Sequence, residues 1–317
     1  MPKILKTSKI FLAGHNGMVG SAIYRSLISS GYKNIILRDR KKLDLLNQKK
    51  TFDFLKKIKP QFVILAAAKV GGIIDNLYHK DQYIYENIQV QNNVIHGSFI
   101  AGVKNLFFLG SSCIYPKKCK QPMKEGYLLT GPLENTNEAY CVAKISGVKM
   151  CQYYSEVKKL NYKSFMPPNL FGPNDNYNLN SSHFYPALLR KIYTCKKKGI
   201  KTLQIWGTGK AKRETMFVED FADALKYFMK VRIKEPYLNI GTGKQFSINW
   251  YAKSMMREMN IKLRIVYDKS KPDGMREKCM DISLAKKYGW KPPVNNFQKT
   301  FSITLEDFNN RMKKIFF

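Results

Sequence analysis

Tyr140 and Lys144 close the run Tyr-Cys-Val-Ala-Lys. On a helix, positions four apart share a face, so a phenol and an ammonium would stand side by side. A phenol titrates near about 10, too high to exchange protons readily at neutrality. A neighbouring ammonium would favour the phenolate, lower that pKa and make proton transfer reversible. Ser111 lies just past the apolar run 106–109 and a glycine. If that run is a strand, the serine sits beyond its C-terminal end, where open α/β sheets hold ligands. Its hydroxyl could then fix a substrate carbonyl beside Tyr140.

A second group of residues suits a dinucleotide. Gly14, Gly17 and Gly20 form Gly-x-x-Gly-x-x-Gly between an apolar run and a helical pattern opened by Met18 and Val19. Glycines there permit a tight turn and let backbone N–H groups approach a pyrophosphate at the helix N-terminus. The second apolar run ends in Arg38-Asp39-Arg40. A lone acid at this point would bind the ribose hydroxyls of NAD. Two guanidinium groups around one carboxylate favour a 2′-phosphate, so NADP(H) is expected, with Asp39 as the residue arguing the other way.

The elements that must carry these groups read as strand and helix in alternation. Strands are expected at 9–13, 34–37, 61–68, 106–109 and 162–166, and helices at 19–27, 83–100 and 138–157. Continuous apolar strands between helices predict an α/β fold with a parallel sheet covered on both faces. Beyond Pro168 the pattern breaks. Residues 169–180, rich in Asn, Gly and Pro, should be loop, followed by shorter mixed elements.

Length and composition bound the rest. With 317 residues, 44% hydrophobic and 25% charged, the chain is globular and large enough for two units. The longest apolar run, 62–68, is far too short for a membrane span, and no apolar leader opens the sequence, so a cytoplasmic protein is expected. The net charge of +32 favours anionic ligands, but the lysines lie in short scattered groups and no nucleic-acid module accompanies them. Nucleic acid is therefore an unlikely partner. Cysteines at 113, 119, 141, 151, 195 and 279 form no Cys-x-x-Cys and meet no paired histidines, so no metal is expected and reduced thiols are the default.

Taken in order, Gly-x-x-Gly-x-x-Gly, Ser111 and Tyr-x-x-x-Lys look like the extended short-chain dehydrogenase/reductases. Five further segments resemble, more closely, the GDP-L-fucose synthase family: Leu-Ala-Ala-Ala-Lys-Val-Gly-Gly-Ile at 65–73, Gly-Ser-Ser-Cys-Ile-Tyr-Pro at 110–116, Asn-Ser-Ser-His at 180–183, Trp-Gly-Thr-Gly at 206–209 with Arg213-Glu214, and Lys-Pro-Asp-Gly at 271–274. The resemblance spans nearly the whole chain, and the block at 110–116 is its most specific part.

The resemblance implies a Rossmann-like doubly wound parallel sheet with a smaller, discontinuous substrate-binding domain. The division would be 1–168 with about 214–243 for NADP, and about 169–213 with 244–317 for a GDP-sugar. It implies C3/C5 epimerisation of GDP-4-keto-6-deoxy-D-mannose followed by reduction at C4. Ser111, Tyr140 and Lys144 would then act with Cys113 and His183, a thiol and an imidazole that invert a carbon from opposite faces. Taken alone, Cys113 reads as a buried small hydrophobe and His183 as a capping residue. NADP(H) contacts would fall on Gly14, Gly17, Met18, Val19, Gly20, Arg38, Arg40, Asp44, Leu109, Gly110, Ser111, Ser112, Tyr140, Lys144, Pro167, Asn169, Leu170 and His183. Lys191, Trp206, Arg213 and Asp273 would hold the GDP end, and a homodimer is implied. Two departures stand out: Asn16 where the family often has a basic residue, and Lys191 in place of an arginine. Competing readings are a sugar-nucleotide epimerase or dehydratase that retains NAD, and a dinucleotide sensor or polyanion binder without catalysis.

Overall fold

The computed structural model describes residues 4–271, 274–294 and 296–316. The first half runs β1 (Ile10–Ala13), α1 (Met18–Ser29), β2 (Ile35–Leu37), α2 (Gln48–Ile58), β3 (Phe62–Leu65), α3 (Ile73–Tyr78), α4 (Lys80–Ile100), β4 (Asn105–Leu109), α5 (Glu138–Lys158) and β5 (Asn161–Met166). The second half runs β6 (Asn169–Phe171), α6 (Phe184–Lys198), β7 (Thr202–Trp206), β8 (Lys212–Phe217), α7 (Val218–Phe228), β9 (Tyr237–Asn239), β10 (Gln245–Ser247), α8 (Ile248–Glu258), β11 (Arg264–Asp268), α9 (Ser283–Lys287) and α10 (Phe297–Phe316).

Six strands make a parallel sheet in the order β2-β1-β3-β4-β5-β9. The central strands β1, β3 and β4 are buried along their whole length. That is why they read as unbroken apolar runs: helices cover both faces and leave no position for a polar side chain. Phe62, Phe107 and Phe165 step across three neighbouring strands with ring centroids 4.8 and 4.6 Å apart. Truncating Phe107 to alanine would cost about 3–5 kcal/mol. The strand order turns back between β1 and β3, so the loops after these strands face each other at the crevice where such sheets bind nucleotides.

Two apolar clusters fill the molecule. One joins the large sheet to its helices and takes in α7, β9 and residues 280–290. The other gathers α6, β7, α8 and α10. Strand β6 passes between them: Leu170 belongs to the first cluster and Phe171 to the second.

The sequence reading differs from the structure at several points. Residues 169–180, expected as loop, open with β6, which pairs in parallel with β8 in the register Leu170↔Met216. A three-residue strand paired with a segment some forty-five residues away leaves no local pattern to read. The strand expected over 61–68 stops at Leu65, because the alanines after it turn to meet the glycine loop. Helix α2, absent from the expectations, buries only Thr51 and Leu55, too few apolar contacts to mark it.

Candidate active site

The loop after β1 is shaped by two glycines and left open by a third. Gly14 has φ +89°, and a Cβ on it would lie 2.5 Å from the Ala67 nitrogen. A Cβ on Gly20 would lie 2.1 Å from the Gly14 carbonyl oxygen. Backbone packing therefore demands glycine at both. Gly17 is different: its φ is −79°, and a Cβ would meet only the Gly14 oxygen at 3.6 Å. The protein leaves that space empty at the N-terminus of α1, whose first N–H groups receive no side-chain cap. Met18 and Val19 are half-buried in this first turn, and Asn16 is exposed beside it. A pyrophosphate fits this cradle by shape and by helix polarity.

At the end of β2, Asp39 is already engaged. Its carboxylate accepts the Lys42 backbone N–H at 2.8 Å and faces the Lys42 ammonium at 3.9 Å. Arg38 lies with its guanidinium 5.4 Å over the Phe54 ring, and Arg40 approaches Asp44 at 3.7 Å; both arginines are exposed. Two cations thus stand where a 2′-phosphate would come, and the one carboxylate between them is tied into its own turn. The residues present fit NADP(H).

Across the crevice, Ser111 caps a 3-10 turn over Ser112–Ile114, accepting the Cys113 backbone N–H at 3.2 Å. Pro167 receives the Ser112 N–H at 3.0 Å, which fixes this turn to the end of β5 beside Asn169 and Leu170. The Ser111 hydroxyl lies close enough to Tyr140 and to the Cys113 sulfur to favour the ionised form of each. Tyr140 stands in the first turn of α5, and Lys144 follows one turn later. Lys144 is buried beneath the site, with Nζ donating to the Leu109 carbonyl at 2.9 Å and lying 5.8 Å from the Tyr140 ring centre. The structure therefore brings Ser111, Cys113, Tyr140 and Lys144 together. His183 stands just before α6; its side chain reaches solvent, yet the surrounding protein crowds it and brings it within the electrostatic reach of Cys113. The His183 loop is braced by α3: Gly72 donates its N–H to the Ser181 carbonyl at 2.8 Å, and a Cβ on Gly72 would lie 2.3 Å from the Ser182 oxygen.

The electrostatics differ from expectation at Tyr140. Burial, with Cys113 and Cys141 beside it, pushes the phenol pKa up, against the smaller opposite pull of the Ser111 hydrogen bond. Lys144 does not bring it down, because burial lowers the ammonium itself to about 7. In the free protein Tyr140 is a phenol holding its proton. Cys113 goes the other way and is held well below the ordinary thiol range. The Cys141 thiol is the largest cause, joined by the Lys278 charge and a Ser111 hydrogen bond, and together they outweigh burial. Lys278 Nζ stands 3.2 Å from the Cys113 sulfur. Burial lowers the His183 pKa, while the negative sulfur opposes it.

Lys278 had no signal in the sequence; its neighbours Arg276-Glu277 and Cys279 form no motif, and it comes from a chain position far from Cys113. Its place is set by the backbone. The Glu214 N–H donates to the Lys278 carbonyl at 3.0 Å, and the Lys278 N–H donates to Gln245 Oε1 at 3.2 Å. The buried Glu214 carboxylate accepts the Gly243 and Met280 N–H groups at 2.8 and 2.6 Å, joining β8 to both segments. Cys141 did have a signal, its position next to Tyr140, but reads in the sequence only as a filler.

The residues expected at the GDP end lie on the second half of the chain. Trp206, at the end of β7, has the Lys191 and Lys271 ammoniums 5.2 and 5.9 Å from its ring. Arg213, on β8, donates to the carbonyls of Lys212 and Met275 at 2.8 and 2.6 Å. Asp273 lies outside the described residues.

Comparison with known proteins agrees with this geometry. Residues 10–241 match the model of the NAD dependent epimerase/dehydratase family. The chain is 48% identical to the GDP-L-fucose synthase of Sinorhizobium fredii (strain NBRC 101917 / NGR234), over 92% of this chain and 93% of that protein. Among solved structures it resembles a GDP-6-OMe-4-keto-L-xylo-heptose reductase from C. jejuni, with a TM-score of 0.92, 32% identity and coverage of 98% and 99% of the two chains. It also resembles MlghC, a GDP-mannoheptose C4 reductase from Campylobacter jejuni with NADP bound, with a TM-score of 0.87, 33% identity and coverage of 96% and 99%.

Proposed function

Because the chain belongs to the NAD dependent epimerase/dehydratase family, and within it to the GDP-L-fucose synthases, we propose that it converts GDP-4-keto-6-deoxy-D-mannose to GDP-L-fucose with NADPH. C3 and C5 of this sugar flank the C4 ketone, so their protons become removable once the enolate oxygen is stabilised. The Ser111 and Tyr140 hydroxyls, side by side in the site, hold that oxygen. Cys113, charged beside Lys278, takes the proton from one face. His183 returns a proton from the other face; burial makes its charged form the stronger acid. Bound NADPH supplies the hydride to C4. Tyr140, protonated at neutral pH, passes its proton to the C4 oxygen, and Lys144 holds the base of the pocket through Leu109.

The observation that carries this reading is the Lys278–Cys113 contact inside the Ser111–Tyr140 constellation. Ketone reduction alone needs the phenol and the serine; a charged thiol beside them is needed only if a carbon is to be deprotonated. A reductase without epimerisation is the second reading; the Campylobacter proteins are named as reductases. Retention of NAD is disfavoured by the engaged Asp39 carboxylate between two exposed arginines.

For the substrate's other end, Trp206 stacks the guanine and Lys191 and Arg213 meet the diphosphate, with Lys191 giving a point charge in place of a fork. Residues 1–168 with about 214–243 hold NADP, and about 169–213 with 244–317 hold the GDP-sugar; the two apolar clusters support this division, with 280–290 packed in the first. Among the described residues no helix is long and apolar enough to cross a membrane. A cytoplasmic setting suits six free thiols. A homodimer would cover Tyr85, Tyr153 and Val157, exposed by 65, 54 and 69% on α4 and α5.

The test is direct. Purified protein mixed with NADPH and GDP-4-keto-6-deoxymannose should oxidise NADPH and yield GDP-L-fucose by chromatography. A product still in the D-manno configuration at C3 and C5 would favour the reductase reading.

A further inference from the structure

The active-site sulfur has a second thiol against it. Cys113 sits in the 3-10 turn capped by Ser111, half-exposed, with the Lys278 ammonium at 3.2 Å. Cys141 follows Tyr140 in the first turn of α5 and is fully buried. Its S–H donates to Asn137 Oδ1 at 3.4 Å, and α5 packs against the 3-10 turn that carries Cys113, which brings the two thiols into electrostatic contact. The other cysteines are placed differently. Cys195 turns to the Thr202 carbonyl and Cys151 is buried beside Ser164, while Cys119 lies within the electrostatic reach of Lys278 and Cys279 within that of Glu214.

From this geometry we infer that Cys113 and Cys141 form a peroxide-responsive thiol pair, in which Cys113 is the oxidisable sulfur and Cys141 resolves it to a disulfide that shuts the site. The inference rests on the proposed site for the charge and exposure of Cys113. An accessible, low-pKa thiolate with a thiol poised beside it is the arrangement that favours reversible oxidation. The first step breaks the peroxide O–O bond. The Cys113 thiolate takes one oxygen as sulfenic acid, and the other oxygen leaves and is protonated to water. The thiolate gives up two electrons and the peroxide gains them.

In the second step the Cys141 sulfur gives up its proton and attacks the Cys113 sulfur. An S–S bond forms, and the sulfenic oxygen departs as water. The two steps are linked through charge. The Cys113 thiolate, and after it burial, hold the proton on Cys141, and oxidation of Cys113 removes that charge. The disulfide would take the proton acceptor away from the sugar and tie the first turn of α5, which carries Tyr140, to the 3-10 turn.

The full chain is treated with hydrogen peroxide, alkylated, digested and mapped by mass spectrometry, before and after dithiothreitol. A Cys113–Cys141 linked peptide is expected, with the protein lighter by two hydrogens and restored by dithiothreitol. In Cys141→Ala, dithiothreitol recovery is expected to be lost as Cys113 proceeds to sulfinic acid. Peroxide treatment that leaves both thiols separately alkylated, or links Cys113 to Cys119 or Cys279, overturns the pairing. So does equal recovery of wild type and Cys141→Ala. The mapping uses no sugar, so its failure leaves the epimerase-reductase reading untouched. Loss of that reading would equally leave the peptide map standing.

Discussion

Cys113 owes its charge to partners that are remote in the sequence. Lys278 reaches its sulfur from a segment held by Glu214 and Gln245, and Cys141 reaches it from α5. An opposite charge within hydrogen-bond distance stabilises a thiolate, whereas burial alone would suppress it. Lys278→Met should therefore raise the Cys113 pKa. The sign follows from the depressed value: the base is present above its folded pKa and is lost as pH falls through it. Proton exchange at C3 and C5 should persist toward neutral pH in the wild type, and its acidic limb should move to higher pH in the variant. An unchanged pH profile of exchange would remove Lys278 from this role. Ser111, Tyr140 and Lys144 were legible because one helix turn and one strand end fix their relation locally. The electrostatic consequence was not. Tyr140 is pushed up, not down, since Lys144 is itself desolvated by the same burial.

At the level of elements, the glycine loop separates two demands that one motif conceals. Gly14 and Gly20 serve backbone packing against Ala67 and against each other, while Gly17 borders open space. Gly17→Ala should leave Tm nearly unchanged and weaken NADPH binding by about tenfold or more, a loss on the order of 1.4 kcal/mol. Gly14→Ala should lower Tm sharply, since φ +89° and a backbone contact at 2.5 Å allow no side chain without movement. Thermal melts with and without NADPH check both; equal destabilisation by the two substitutions would contradict the division. The strands of the large sheet were readable because double burial leaves a continuous apolar run. Strand β6 was hidden by its shortness and its distant partner β8, and α2 by a polar face that meets solvent. The bracing of the His183 loop by Gly72 was equally silent, since it is a contact between two loops far apart in the chain.

Across the whole molecule, the two apolar clusters adjoin at β6, through Leu170 and Phe171. Asn174 Nδ2 donates to Ser21 Oγ at 2.8 Å, joining the cofactor helix α1 to the loop that leads toward His183. The net charge of +32 attracts an anionic sugar nucleotide from solution. With screening over about 8 Å at physiological ionic strength, kcat/KM for the GDP-sugar should fall as salt rises while kcat changes little. A salt-independent kcat/KM would show that this charge plays no part in encounter. Overall class and reaction were legible because the motifs recur along nearly the entire chain; the role of so many lysines was not, since scattered charge specifies no partner. The most direct test of the account follows deuterium. GDP-4-keto-6-deoxymannose is incubated with the protein in deuterium oxide, reduced with NADPH, and the product read by NMR. Wild type should give GDP-L-fucose carrying deuterium at C3 and C5, and Cys113→Ser should suppress that incorporation while still binding NADPH. NADPH consumption with no deuterium at either carbon, or full incorporation in Cys113→Ser, would contradict it.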